Sequence, residues 1–154
     1  MARTARTCLD SSVLLKLVVP EADTYEAERL WVATLAAGRL PVAPDFPWAE
    51  VGSALLRRER QGRLSAGLAA EAWGIFRDLP VVFIPERQLA DRAWFLARRW
   101  KLATVYDAAF LAAGEEEGEE EEFWTADTRL VQALGSPQPG WVHVLGQAGW
   151  SGGS

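Results

Sequence analysis

Short apolar runs alternate with amphipathic stretches along this chain, and no other feature of the sequence narrows its possible folds as much. Thr7-Cys8-Leu9 stops at Asp10, Pro41-Val42-Ala43 follows a helical stretch, and Val81-Val82-Phe83-Ile84 sits between Pro80 and Pro85. Phe123-Trp124-Thr125-Ala126 then ends at Asp127, and residues 141–145 follow the turn Ser136-Pro137-Gln138-Pro139-Gly140. Strands separated by helices are joined by right-handed crossovers, which lay the helices on both faces of a parallel sheet. The alternation predicts an α/β fold, a three-layer α/β/α sandwich with a mainly parallel central sheet.

Finer expectations follow from caps and spacing. A helix opens at Ser11 or Ser12 and carries residues 13–19; a second runs from about residue 21 to 37, closed by Gly38 in a left-handed cap. Asp45 is the expected N-cap of a third, in which Trp48, Val51 and Leu55 recur at i, i+3 and i+7 until Gly62. Ser65 caps a fourth helix. Leu89, Ala93, Leu96 and Trp100 mark a fifth, leaving Arg92, Arg98 and Arg99 toward solvent, and Thr104 caps a sixth that holds Asp107 in its first turn. Residues 81–84, apolar throughout, read as a central strand buried on both faces. The last strand is expected to be antiparallel or marginal. One domain is expected over residues 1–148, with a flexible tail at 149–154.

Cys8 and His143 are the only cysteine and histidine among 154 residues. An internal disulfide and zinc-ribbon or zinc-finger sites are therefore excluded, and any Ser-His-Asp or Cys-His enzyme would rest on His143 alone. Both residues read as structural, which leaves the chemistry to carboxylates. The N-terminus lacks an apolar core of secretory length and no run is long enough to span a bilayer, so a cytoplasmic protein without a membrane partner is expected. Seven of the 21 acidic residues lie within residues 115–122, and removing them turns the formal charge of −5 into +2. Most of the basic charge is arginine: Arg57, Arg58, Arg60 and Arg63 form one group, Arg98, Arg99 and Lys101 another. Either group can follow a phosphate backbone, and Lys16 can reach a phosphate near Asp10. The eight tryptophans are expected in the core and in subunit contacts.

Asp10 and Asp127 each directly follow a strand, Asp107 opens a helix, and Glu50 lies one turn into another. In an open α/β sheet, sites form beyond the carboxyl ends of the strands, where these four acids can meet. Crowded carboxylates repel and take up protons, so such a group is stable at neutral pH only with cations between its members. Oxygen donors without histidine or cysteine select Mg²⁺ or Mn²⁺. Taken singly, each acid has a structural explanation, because aspartate at strand ends and helix starts caps helices.

Leu9-Asp10-Ser11-Ser12-Val13-Leu14-Leu15-Lys16, Ala49-Glu50-Val51-Gly52-Ser53-Ala54-Leu55, Val105-Tyr106-Asp107-Ala108-Ala109 and Phe123-Trp124-Thr125-Ala126-Asp127-Thr128-Arg129-Leu130 occur in that order. Together they resemble the acidic motifs of the PIN domain, and within it the VapC toxin ribonucleases of VapBC toxin-antitoxin systems. The resemblance implies that Asp10, Glu50, Asp107 and Asp127 are the catalytic, metal-binding acids, and that Ser12 and Thr125 order the site. It further implies Mg²⁺ or Mn²⁺ as cofactor, RNA as substrate, a homodimer, and a VapB-like antitoxin whose C-terminal segment covers the site. Arg57, Arg58, Arg98, Arg99 and Lys16 are the candidate RNA contacts. Two departures stand out: Ser53 takes a place where relatives often have Asn, and the acidic tract replaces a less charged helix end. These departures support an alternative, a catalytically weak or inert PIN-like module that binds RNA or protein. No glycine-rich phosphate loop or dinucleotide fingerprint follows the first strand.

Overall fold

The computed structural model of the protein describes residues 4–20, 24–115, 122–135 and 138–146. The elements run β1 (Arg6–Leu9), α1 (Ser11–Val18), α2 (Thr24–Ala36), β2 (Leu40–Pro44), α3 (Pro47–Arg60), α4 (Ala66–Asp78) and β3 (Val82–Ile84). They continue with α5 (Glu86–Trp100), α6 (Val105–Gly114), β4 (Glu122–Thr125), α7 (Thr128–Ala133) and β5 (Val142–Val144). The strands form a five-stranded sheet in the order β3-β2-β1-β4-β5, and every neighbouring pair is parallel. The fold is the expected three-layer α/β/α sandwich. The two crossovers that carry the chain out to β3 pass through α1–α4, which pack on one another, and the return crossover to β4 passes through the packed pair α5 and α6. Right-handed connections in opposite directions put these two groups on opposite faces. No helix among the described residues is long and apolar enough to cross a membrane.

β1 is the axis of the core. Thr7, Cys8 and Leu9 are fully buried, and the Cys8 thiol donates to the Phe110 carbonyl of α6 at 3.3 Å. α6 is buried from Ala108 through Gly114. A side chain at Gly114 would place its Cβ 3.1 Å from the Cβ atoms of both Cys8 and Phe123, so glycine lets this helix lie directly on β1 and β4. Toward the start of β1, Arg39 donates to Thr7 Oγ1 at 2.7 Å and pairs with Glu122, and His143 stacks on Trp124 with ring centroids 4.7 Å apart. His143 is thus part of the sheet's packing.

Several caps fall where expected. Ser65 Oγ accepts from the Leu68 N–H, Thr104 Oγ1 accepts from the Asp107 N–H, and Gly38 and Gly62 take positive φ. Lys101 ends α5 in the left-handed region at φ 53°, the only non-glycine there among the described residues. That conformation costs about 1 kcal/mol for a residue with a Cβ. Lys101→Gly is expected to raise stability by about 0.5–1 kcal/mol in urea denaturation.

Four expectations are corrected. Residues 81–84 do not form a central strand: β3 is an edge strand, with Val82 46% and Phe83 38% exposed. The chain leaves β3 for the far side of β1, so nothing among the described residues pairs with its outer edge, and apolarity alone does not distinguish an edge from a centre. β5 is parallel to β4, because α7 supplies the crossover that returns the chain in the same direction. Asp45 does not cap α3, whose N-cap is Phe46; its Oδ1 instead accepts from the Glu86 N–H at the start of α5. Trp48 shares the predicted stripe with buried Val51 and Leu55 yet is 60% exposed, as is Trp94 at 59%. Of the tryptophans expected in the core or in subunit contacts, Trp124 is buried and Trp31, Trp73, Trp100 and Trp141 pack against the core. Arg92 faces outward as expected and makes a two-pronged pair with Glu115, the C-cap of α6. Most of the acidic tract, the start of the second helix and the C-terminal tail lie outside the described residues.

Candidate carboxylate site

The strand order reverses between β1 and β4: from β1 the chain builds outward through β2 and β3, then returns to the other side for β4 and β5. Such a reversal opens a crevice beyond the carboxyl ends of the two strands. Asp10 stands at its base. The Asp10 N–H donates to the Trp124 carbonyl at 3.0 Å, extending the β1–β4 ladder by one residue and fixing where the side chain emerges.

Two hydroxyls hold that side chain. Ser12 Oγ donates to Asp10 Oδ2 at 3.1 Å and accepts from the Ala126 N–H at 3.0 Å. Thr125 Oγ1, fully buried, donates to the same Oδ2 at 2.5 Å and accepts from the Asp127 N–H at 2.9 Å. Each hydroxyl thus orients Asp10 and ties α1 to the turn after β4. Asp107 sits in the first turn of α6, and Glu50 in the first turn of α3. Asp127 is the N-cap of α7, its Oδ1 accepting from the Arg129 N–H at 2.9 Å.

The acids sense one another. Surrounding protein pushes the Asp10 carboxyl above the usual carboxylate range; bonds from Thr125, Ser12 and the Ser11 N–H oppose this, and the Asp107 charge adds to it. Burial raises Glu50, as do the charges of Asp10 and Asp107. Asp107 is raised by burial and then by Asp127. The four predicted acids therefore share one electrostatic neighbourhood, linked through Asp10 and Asp107. Ser11 Oγ is buried beside Glu50, favours its charged form, and makes no hydrogen bond of normal geometry.

The donor set, carboxylates and hydroxyls without nitrogen or sulfur, matches a hard divalent cation such as Mg²⁺ or Mn²⁺. Burial first, and neighbouring carboxylate charge second, disfavour the ionised forms of Asp10, Glu50 and Asp107, and a bound cation offsets both. Among the described residues no three histidine, cysteine, aspartate or glutamate side chains converge as a metal-binding group.

Of the four acids, Glu50 lines a cleft of about 690 Å³, together with Ser11, Ser12, Ser53, Arg57 and Tyr106; Asp10, Asp107 and Asp127 are not in its lining. Of the predicted RNA contacts, Arg57 lines it. Arg58 Nη1 instead donates to the Ala54 carbonyl of its own helix at 3.4 Å. Arg98 and Arg99 lie over the Trp94 and Trp100 rings of α5, at 5.8 and 5.2 Å. Lys16 is in the last turn of α1. Sequence reasoning missed Phe46 and Tyr106, whose rings meet edge-on with centroids 5.1 Å apart. An aromatic residue immediately before Asp107 was the available signal for Tyr106; Phe46, in a loop, had none. No protein-family model matches this chain, and no curated protein matches it.

Proposed function

We propose that this protein is a Mg²⁺- or Mn²⁺-dependent ribonuclease of the PIN-domain type, the toxin of a VapBC-like pair acting in the cytoplasm. The observation that carries the reading is the gathering of Asp10, Glu50, Asp107 and Asp127, from four separated segments, into one electrostatic group at the crevice between β1 and β4. Asp10 and Asp107 would hold the cation, with Asp127 and Glu50 beside them. A bound cation of this kind lowers the pKa of a coordinated water and offsets charge developing on a phosphate.

The remaining steps belong to the chain's own residues. Ser12 and Thr125 keep Asp10 ionisable in a place that otherwise favours its protonated form, because both donate to the carboxylate. Glu50, on the α3 wall of the cleft, would orient a water or accept its proton. Arg57 offers a guanidinium to the RNA backbone from the same wall. Arg57→Ala is expected to weaken RNA binding about equally across sequences and to reduce the salt slope of binding by about one. An antitoxin segment would cover this cleft, and the active form would be a homodimer.

The testing experiment incubates the protein with transfer, ribosomal and messenger RNAs in Mg²⁺, in Mn²⁺ or in chelator. Cleavage that needs the cation supports the reading. RNA binding that is equal with and without cation, and is never followed by cleavage, favours the inert PIN-like module.

A further inference from the structure

Beside the acid cleft, between α5 and α6, lies a second cavity of about 350 Å³, lined by Phe46, Glu86, Arg87, Trp94, Val105 and Tyr106 together with small alanine side chains. Phe46, Glu86 and Tyr106 line both cavities, so the two adjoin at these residues. We propose that this cavity is a nucleobase subsite, in which Tyr106 and Trp94 take a base of single-stranded RNA whose backbone lies along the carboxylates. The proposal rests on the ribonuclease reading and adds to it where the substrate's base is held.

Geometry supplies the first support. Tyr106 and Trp94 come from different helices and are each 59% exposed, yet they converge on one cavity. The Tyr106 ring is braced at one side: Phe46 meets it edge-on at 76°, and Phe46 in turn meets buried Phe110 at 82° with centroids 5.3 Å apart. A platform held this way loses little freedom when a flat ligand settles on it. Tyr106 also directly precedes Asp107 on α6, so a single residue step of the helix sets the offset between the two side chains.

Charge and size point the same way. Arg87 is in the lining and the Arg98 guanidinium lies 5.8 Å from the Trp94 ring centroid, so two cations flank the aromatic walls, with Glu86 the one acid among the lining residues. An apolar slot with cations at its border suits a flat, π-bearing group attached to a polyanion. The volume falls within the range of roughly 300–1,000 Å³ common for small-ligand pockets. Stacking of this kind tolerates any base, because every base has a π-face.

The test titrates a fluorescein-labelled single-stranded hexaadenylate, and the same strand with abasic sugars, into the full-length protein in chelator, reading anisotropy. Tyr106→Ala and Trp94→Ala should each weaken hexaadenylate binding about tenfold or more. Tyr106→Phe should bind like wild type, since the ring is kept. The abasic strand should bind wild type about tenfold more weakly, and the Tyr106→Ala protein should no longer distinguish the two strands. A merely structural role for Tyr106 would not produce that loss of discrimination. Unchanged thermal midpoints in the variants exclude unfolding as the cause. The proposal is overturned if wild type does not bind the strand, if the variants bind as wild type does, or if wild type does not distinguish the abasic strand. It is equally overturned if Trp94→Ala dissociates a dimer in sedimentation while RNA affinity stands, which would make the surface an interface between copies. Because binding is read without cation, a protein that stacks bases and never cleaves sinks the nuclease reading while leaving the subsite intact.

Discussion

Asp10→Asn is expected to lower RNA cleavage by about a hundredfold or more, while making the protein more stable in chelator at neutral pH. The first effect follows from the cation, whose contribution to offsetting transition-state charge is several kcal/mol, at about 1.4 kcal/mol per tenfold in rate. The second follows from the direction of the Asp10 pKa. A carboxyl raised above its ordinary 3.8 favours the folded state when protonated, so its stabilising effect is present below that value and is lost as pH rises through the raised one. Glu50 and Asp107 are raised as well and act in the same direction. The wild-type protein in chelator should therefore lose stability from about pH 4 toward neutrality. Asp10→Asn should lose less over that window, and Mg²⁺ should narrow the gap between the two. Thermal midpoints across pH, with and without cation, read this directly; a variant no more stable than wild type at neutral pH would contradict it.

Thr125→Val carries the largest expected effect on folding. Valine matches threonine in shape, so the site loses a hydroxyl rather than volume. That hydroxyl bonds Asp10 Oδ2 and the Asp127 N–H in a fully buried position. The Asp127 N–H is left without its acceptor, at about 1–3 kcal/mol, while Asp10 Oδ2 keeps the Ser12 hydroxyl and loses one bond to a charged group worth about 1.5–3 kcal/mol, so a total of about 2.5–6 kcal/mol is expected. Against a total stability of about 5–15 kcal/mol this is a large fraction. Removing a donor from Asp10 also moves its carboxyl further up, which weakens cation binding. Thr125→Ser restores the hydroxyl and should recover most of the metal affinity. Urea denaturation and Mn²⁺ titration of both variants test the pair of effects, and a Thr125→Val protein matching wild type in both would refute the role given to this hydroxyl.

The layer order and the strand ends were legible because they depend on local signals: apolar runs, capping hydroxyls and glycines at positive φ. Ser65, Thr104, Gly38 and Gly62 act where their chemistry suggests. The positions of Asp10 and Asp127 were legible for a related reason, since an aspartate ending a strand is placed by the strand itself, and those of Glu50 and Asp107 because each lies in the first turn of a helix. What depended on partners distant in sequence was not. Asp45 has a helix to cap immediately after it and bonds instead to a residue 41 positions away. Val82 and Phe83 look like core and lie at an edge, because strand order is set by the direction of crossovers and not by the strand's own residues. Arg58, Arg98 and Arg99 could not be told from Arg57 as cations, and only the packed helices show that Arg57 alone of these lines the acid cleft.

The proposed cation site of Asp10, Glu50, Asp107 and Asp127 is read without RNA by calorimetric titration of Mn²⁺ into the metal-free protein. Wild type should show saturable binding. Asp10→Asn and Asp107→Asn should each weaken it at least about tenfold, whereas Asp78→Asn, at the far end of α4, should leave it unchanged. A wild-type protein that takes up no Mn²⁺, or Asp10→Asn and Asp107→Asn proteins that bind it as wild type does, would contradict the account.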